Sequence, residues 1–233
     1  MQIKYSVIVP VYNESYSIPL LWRYLKTVMG DLKEPYEVIF INDGSDTKTH
    51  NLLNDMKAKH DSIAVYHLKE NMGQTEALRK GFEIARGDII VSMDADLQDD
   101  PKYIPQFINK INEGYDVVCG YRRRRKDKLN KIILSKIGNF IQGIVWKTGL
   151  HDLACTYRAY RKGCIKDINL SRRGYHRYIP YFLSRQGCRI TELEIEQNKR
   201  PYLESKYSVL KMFDVIYEFL SICFVVSKDK EKK

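Results

Sequence analysis

Two carboxylates one residue apart, Asp94 and Asp96, stand where the apolar run Ile89-Ile90-Val91-Ser92-Met93 stops, and Gln98 follows two positions later. Alternate residues of a strand share a face, so both acids point the same way while small Ala95 leaves room for a bulky ligand. Hard oxygen ligands suit Mg²⁺ or Mn²⁺, cations that keep coordination positions open for phosphate oxygens. The same residues also have a structural use, since acids before Pro101 end a strand and cap a helix beginning there. A bare Asp-x-Asp does not choose between the two readings.

The elements that must position this pair supply three more polar clusters. A buried-strand pattern, Tyr5 to Val11, breaks into Tyr12-Asn13-Glu14-Ser15; Val38 to Ile41 ends in Asn42-Asp43-Gly44-Ser45-Asp46; and Ile63 to Leu68 is followed by Asn71-Met72-Gly73-Gln74. Helical spacing appears between them, at Leu20, Leu21, Tyr24, Leu25 and Val28, then through Leu52, Leu53 and Met56, then from Thr75 to Arg86. Four strands alternating with helices predict a mostly parallel, doubly wound α/β sheet, and ligands of such sheets bind outside the carboxyl ends of the strands. All four polar clusters therefore converge on one crevice. The sequence has no Gly-x-Gly-x-x-Gly after its first strand and no Gly-Lys-Ser/Thr loop, which argues against a dinucleotide dehydrogenase and a P-loop phosphotransferase.

Taken in order, Val9-Pro10-Val11-Tyr12-Asn13-Glu14, Asn42-Asp43-Gly44-Ser45, Asn71-x-Gly73 and Met93-Asp94-Ala95-Asp96-Leu97-Gln98 resemble the signature of family 2 glycosyltransferases with the GT-A fold. Gly120-Tyr121-Arg122, Ser135-Lys136, Asp152 to Arg158 and Arg200 to Tyr207 are similar to the polyprenyl-phosphate branch typified by dolichyl-phosphate mannose synthase. The resemblance covers roughly residues 3 to 215. It implies a mostly parallel central sheet flanked by helices and transfer of a sugar from a nucleoside diphosphate, UDP- or GDP-linked, to a lipid phosphate. It also assigns roles. Pro10, Tyr12, Glu14, Asp43, Gly73, Asp94 and Ala95 would bind the nucleotide. Asp94, Asp96 and Gln98 would hold the metal, and Arg200 would stabilise the leaving diphosphate. Arg122, Lys131 and Ser135 would hold the acceptor phosphate. Asn42 stands where the usual pattern has Asp, Lys131 where Arg is more familiar, and Glu204 where relatives more often have Gly.

Tyr115 to Cys119, Cys155 to Tyr160 and Arg189 to Ile195 read as further strands, and a helix is expected from Ser171 through Tyr178, Ile179, Phe182 and Leu183. From Arg122 to Lys136 there are eight basic residues against one acid, Asp127, and an apolar helix from Ile132 to Trp146 overlaps the end of this run. A charge run of this kind suits a solvated face or a nucleic-acid patch. The absence of interleaved aromatics and the adjoining apolar helix favour an anionic membrane interface over nucleic acid. The sequence divides into a GT-A catalytic domain over 1–208 and an amphipathic helix with a basic tail over 209–233, which could pack on the domain, lie on a membrane or dock an integral-membrane partner or a second copy.

A 44% hydrophobic, 12% aromatic composition excludes disorder for the body of the chain, while an excess of ten Lys and Arg predicts an anionic partner without naming it. The five cysteines, Cys119, Cys155, Cys164, Cys188 and Cys223, are scattered and never two apart, so the sequence indicates neither a disulfide framework nor a zinc site. His151 and His176 read as structural or surface residues. No secretory signal is evident, and no uncharged run exceeds ten residues, short of the ~20 that span a bilayer. The expectation is a peripheral enzyme on the cytoplasmic face of a membrane. Two alternatives stay open: transfer to a sugar hydroxyl of a growing glycan, with Asp152 as base, and a basic nucleotide-sugar or nucleic-acid binding protein without turnover.

Overall fold

The computed structural model describes residues 2–122, 149–166 and 168–198. Lys131, Ser135, Arg200 and the whole 209–233 segment lie outside these residues. Seven strands form one sheet: β1 (Tyr5–Val11), β2 (Tyr36–Asn42), β3 (Ile63–His67), β4 (Ile89–Ser92), β5 (Val117–Arg122), β6 (Arg158–Arg161) and β7 (Ile190–Ile195). Their spatial order is β3-β2-β1-β4-β6-β5-β7. Pairs β1/β2, β1/β4, β2/β3 and β5/β7 are parallel, and β6 alone runs antiparallel to both its neighbours, β4 and β5. Two reversals across β6 restore the direction, so β5 runs parallel to β4 and its carboxyl end at Arg122 shares the edge at which β4 delivers Asp94.

Both faces of the sheet are covered, and the strand residues alternate between them. On one face Val7, Val9, Val38 and Phe40 pack with Leu21, Leu25 and Met29 of helix α1 (Ile18–Asp31) and Phe107 of helix α4 (Ile104–Asn112). On the other, Ile8, Ile39, Ile41 and Ile90 pack with Ala77, Leu78 and Phe82 of helix α3 (Gln74–Ile84). Helix α2 (Thr47–Lys59) adds Leu53 and Met56 to the first face. Each such fully buried aliphatic contributes about 1.5–3 kcal/mol relative to exposure, and this burial rather than intrinsic propensity holds the layers together.

The expected helix from Ser171 is shorter than its apolar spacing suggests. Gly174 adopts a left-handed conformation at φ 87°, Tyr175–Tyr178 form a 3₁₀ turn, and the regular helix is confined to Ile179–Arg185, with Pro180 at its start. Proline is favoured in a first turn and disrupts the interior of a longer helix. Its successor in the chain, β7, begins at Ile190. A short helix, Lys162–Ile165, follows β6; these two helices are α6 and α5. Among the described residues no helix is long and apolar enough to cross a membrane.

Candidate active site

The four polar clusters meet at the carboxyl edge of β1, β2, β3 and β4, tied by hydrogen bonds between loops. The Asn13 N–H donates to Ser45 Oγ (3.1 Å), the Asp46 N–H to Asn13 Oδ1 (2.8 Å) and the Asp43 N–H to the Val11 carbonyl (2.8 Å). Asn13 sits at φ 57°, a left-handed conformation that asparagine tolerates better than most residues. Asn42 Oδ1 accepts the Ser45 N–H at 3.0 Å, and its amide lies 2.9 Å from His67 Nδ1, while His67 Nε2 lies 3.1 Å from Asn54 Oδ1. An amide can donate to one partner and accept from another, which the aspartate of the usual pattern cannot do when ionised. Burial, with His50 and Lys57 nearby, lowers the pKa of His67, which favours the neutral ring that this chain of contacts uses.

Asp43 is buried and anchors the third loop. Its Oδ1 accepts the Met72 N–H (2.7 Å) and its Oδ2 the Gly73 N–H (2.9 Å). Burial raises its pKa, while those two N–H groups and the Arg173 guanidinium work in the opposite direction. Gly73 takes φ 90° at the start of α3, and Gly44 takes φ 66° against the backbone of Glu70 and Asn71, leaving no room for a side chain. Gly73 is fixed by conformation, and Gly44 by conformation and by close approach. Pro10 is partly buried at the end of β1, and Tyr12 is 47% exposed beside it, its ring open to a flat ligand. Glu14 accepts from Ser17 Oγ at 2.8 Å, so it also orders the entry to α1.

At the end of β4, Asp94 is partly exposed and accepts from Gln74 Nε2 at 2.7 Å; Ala95 and Asp96 are buried. Asp96 Oδ1 accepts the Gln98 N–H at 3.0 Å across Leu97, which is forced to φ 63°. A bulky residue in that region is strained, and such strain concentrates at ligand sites. The Gln98 carbonyl accepts the Asn198 N–H at 2.9 Å, which draws the segment after β7 to the site. Asp99, 3% exposed, lies behind the pair; burial first, then the charges of Asp94 and Asp96, push its pKa up to about 7. Three carboxylates near one strand end create a negative potential that a divalent cation would relieve, and Asp94 and Asp96 are the residues whose hard oxygens could hold one.

Arg122 ends β5 facing the same region. Its Nε and Nη2 form a two-point contact with Asp152, at 2.6 and 2.9 Å, and Asp152 is 2% exposed. Burial disfavours the Arg122 charge, but the Asp152 hydrogen bonds, with Cys155 and Asp99 beside it, raise its pKa above the ordinary value, so the guanidinium is permanently charged. The sequence alone assigns no individual role to Asp99 or Gln74, and it places Asn198 only at the start of a basic loop that resembles the segment closing over the sugar diphosphate in relatives. Gln74 stands in the Asn71 to Gln74 cluster and Asp99 directly after Gln98, but nothing in their spacing indicates which of them turns inward.

A doubly wound sheet with one reversed strand, carrying an Asp-x-Asp at a crevice over the carboxyl edge, defines a GT-A-type sugar transferase. The chain belongs to the glycosyl transferase family 2, whose model matches residues 6–168. It is 36% identical over 219 residues to undecaprenyl-phosphate 4-deoxy-4-formamido-L-arabinose transferase of Aeromonas hydrophila subsp. hydrophila, covering 93% of this chain and 66% of that one, just under two thirds of its length. Among solved structures it is similar to mannosyl-3-phosphoglycerate synthase from Rubrobacter xylanophilus, with TM-score 0.74 and 12% identity over 99% of this chain and 76% of that one. It is also similar to glucosyl-3-phosphoglycerate synthase from Mycobacterium tuberculosis in complex with Mn²⁺, uridine diphosphate and phosphoglyceric acid. That match has TM-score 0.70 and 17% identity over 95% of this chain and 78% of that one. At these identities the structural likenesses establish the fold alone.

Proposed function

We propose that this chain transfers a sugar, with inversion, from a UDP- or GDP-linked donor to a polyprenyl phosphate at a membrane surface. The observation that carries the reading is the placing of the Asp94/Asp96 pair and the charged Arg122 on one sheet edge, joined to the name of the 36% identical relative, an undecaprenyl-phosphate transferase. Tyr12 offers its exposed ring to the base, with Pro10 and Glu14 framing it, and Asp43 holds the Met72–Gly73 turn against which the nucleotide would lie. Asp94 and Asp96, with Gln98 beside them, would hold Mg²⁺ or Mn²⁺, consistent with the Mn²⁺ and uridine diphosphate in the Mycobacterium tuberculosis homologous fold. When bound, that cation supplies electrostatic stabilisation of the departing diphosphate, and Arg200 would add to it.

A phosphate acceptor is already anionic near neutral pH, so catalysis reduces to alignment and charge stabilisation without a protein base. Arg122, held rigid by Asp152, would orient the acceptor phosphate with Lys131 and Ser135. A sugar-hydroxyl acceptor needs a carboxylate base instead, and the two candidates are poorly suited: both Asp152 oxygens receive Arg122, and Asp99 is 3% exposed. The test is incubation with a panel of UDP- and GDP-sugars, Mg²⁺ or Mn²⁺, and either a short polyprenyl phosphate or a soluble oligosaccharide. A lipid-linked sugar detected by mass is the expected product. Transfer to the oligosaccharide alone would overturn the acceptor assignment.

A further inference from the structure

The amino edge of β5 and β7, the side of the sheet away from the carboxylate pair, gathers three donor groups that the glycosyl-transfer reading does not use. Asp116 stands immediately before β5, Cys164 lies in α5 just after β6, and Cys188 lies between α6 and β7. One ligand atom from each, a carboxylate oxygen and two thiol sulfurs, falls within 4.8 Å of the other two, and all three residues are partly buried. The two cysteines are 24 positions apart in sequence, so no spacing motif announces them; the antiparallel β6 is what brings α5 beside the start of β7. Among the described residues this is the one group of three His, Cys, Asp or Glu ligand atoms so closely placed.

We propose that Asp116, Cys164 and Cys188 form a binding site for a borderline-soft divalent cation, zinc being the natural occupant, with water in the fourth position. The argument is donor chemistry and support. Sulfur ligands select zinc over the Mg²⁺ and Mn²⁺ that carboxylates such as Asp94 and Asp96 prefer, so the two edges of the sheet would discriminate between cations. In a tetrahedral site with Zn–S near 2.3 Å, neighbouring sulfurs sit roughly 3.8 Å apart, a separation compatible with the 4.8 Å within which the three ligand atoms lie. Asp116 is oriented as ligating carboxylates usually are: its Oδ2 accepts the Arg189 N–H at 2.8 Å, and Arg161 Nε lies 3.5 Å from Oδ1. Its backbone is fixed as well, the N–H donating to the Arg189 carbonyl and the carbonyl accepting from Arg161, each at 2.8 Å. Burial, then the neighbouring Cys188 and Asp116, push the Cys164 thiol up to about 12. Binding would release both thiol protons to solvent as the two thiolates coordinate, with no change of oxidation state, and would clamp α5 and the α6–β7 connection to the start of β5.

Reduced full-length protein is titrated with Co²⁺ as a spectroscopic stand-in for zinc, because only thiolate ligation gives the near-ultraviolet sulfur-to-cobalt charge-transfer band. The expected result is a band saturating at one equivalent, bleached by added Zn²⁺, lost in Cys164→Ser and in Cys188→Ser, and weakened in Asp116→Asn. Asp94→Asn keeps it, which separates this site from the proposed catalytic cation and makes the result independent of the transfer reading. Should a serine variant fold poorly, wild-type protein is alkylated with and without Zn²⁺ and mapped by mass. Zinc is then expected to slow modification of Cys164 and Cys188 at least tenfold. No band in the reduced protein, a band surviving Cys164→Ser, or equal alkylation with and without Zn²⁺ would overturn the site.

Discussion

At the scale of single residues, the site depends on charges whose partners are fixed. Asp94→Asn and Asp96→Asn keep shape but remove a hard anionic ligand, so each is expected to abolish Mg²⁺- or Mn²⁺-dependent donor binding while the melting temperature stays close to wild type. Calorimetric titration of UDP- and GDP-sugars with and without metal checks this, and retained metal-dependent binding in both variants would remove the metal assignment. Asp152 is a different case, because it neutralises a guanidinium that is 15% exposed. Asp152→Ala leaves that charge buried and unpaired, which costs about 3–5 kcal/mol, read as a drop in the urea midpoint. His176 sets a pH limit. It is 5% exposed, its Nδ1 lies 2.7 Å from Thr75 Oγ1, and burial, with Arg177 and Arg158 adding to it, holds its pKa well below the usual 6.5. The unfolded chain therefore takes up a proton below about pH 6.5 that the folded chain refuses. Stability is full above that value and falls as pH drops, by up to about 1.4 kcal/mol per pH unit. A His176→Gln variant is expected to lose that part of the slope in denaturation curves from pH 7.5 to 5, and an unchanged slope would show that another group carries it.

At the scale of elements, α3 meets the sheet where it does because Gly81 has no side chain. A Cβ there would run into the Cγ2 of Ile8, a wholly buried residue at the centre of β1. Alanine favours a helix over glycine by about 1 kcal/mol, but overpacking a rigid core costs about 1–3 kcal/mol, so Gly81→Ala is expected to be net destabilising. Ile8→Val in the Gly81→Ala background restores part of the loss if the clash is the cause, and additive destabilisation in the double variant would show that it is not. Such closeness was not legible in the sequence, whereas much else was. Strands β1 to β4 declare themselves as apolar runs stopping at polar clusters, and their parallel order follows from the helices between them. The ordered motifs placed Asp94 and Asp96 at the crevice because a strand end and a carboxylate are both local facts. The partnership of Arg122 with Asp152, the inward turn of Asp99 and the meeting of Cys164 with Cys188 depend on the reversed strand β6, whose direction no local pattern records. The helix expected from Ser171 is present but begins late, for a local reason instead: periodicity does not weigh Gly174 and Pro180, which fix where it begins.

At the scale of the whole molecule, charge is unevenly shared along the chain. Eight of its basic residues, against one acid, fall between Arg122 and Lys136, so most of the net excess of ten belongs to one stretch. Arg122 is the last residue of β5, and β5 runs parallel to β4, so the chain enters this stretch from the edge where Asp94 lies. A lipid phosphate reaching the crevice would come from a surface of anionic head groups, which attracts each nearby Lys or Arg by about 1 kcal/mol. We therefore expect the protein to bind vesicles containing anionic lipid and to release them as salt rises, since exposed charges are screened beyond roughly 8 Å at physiological ionic strength. Replacing Arg123, Arg124, Arg125 and Lys126 with glutamine together is expected to weaken binding on the order of several hundred-fold, if all four face the surface. Donor binding without acceptor should be nearly unchanged. Vesicle sedimentation across a salt series reads the first effect and calorimetry the second. Equal binding to neutral vesicles at high salt would reject the electrostatic account and point to insertion of the apolar 209–226 segment, because burial of apolar surface, unlike charge pairing, is not weakened by salt.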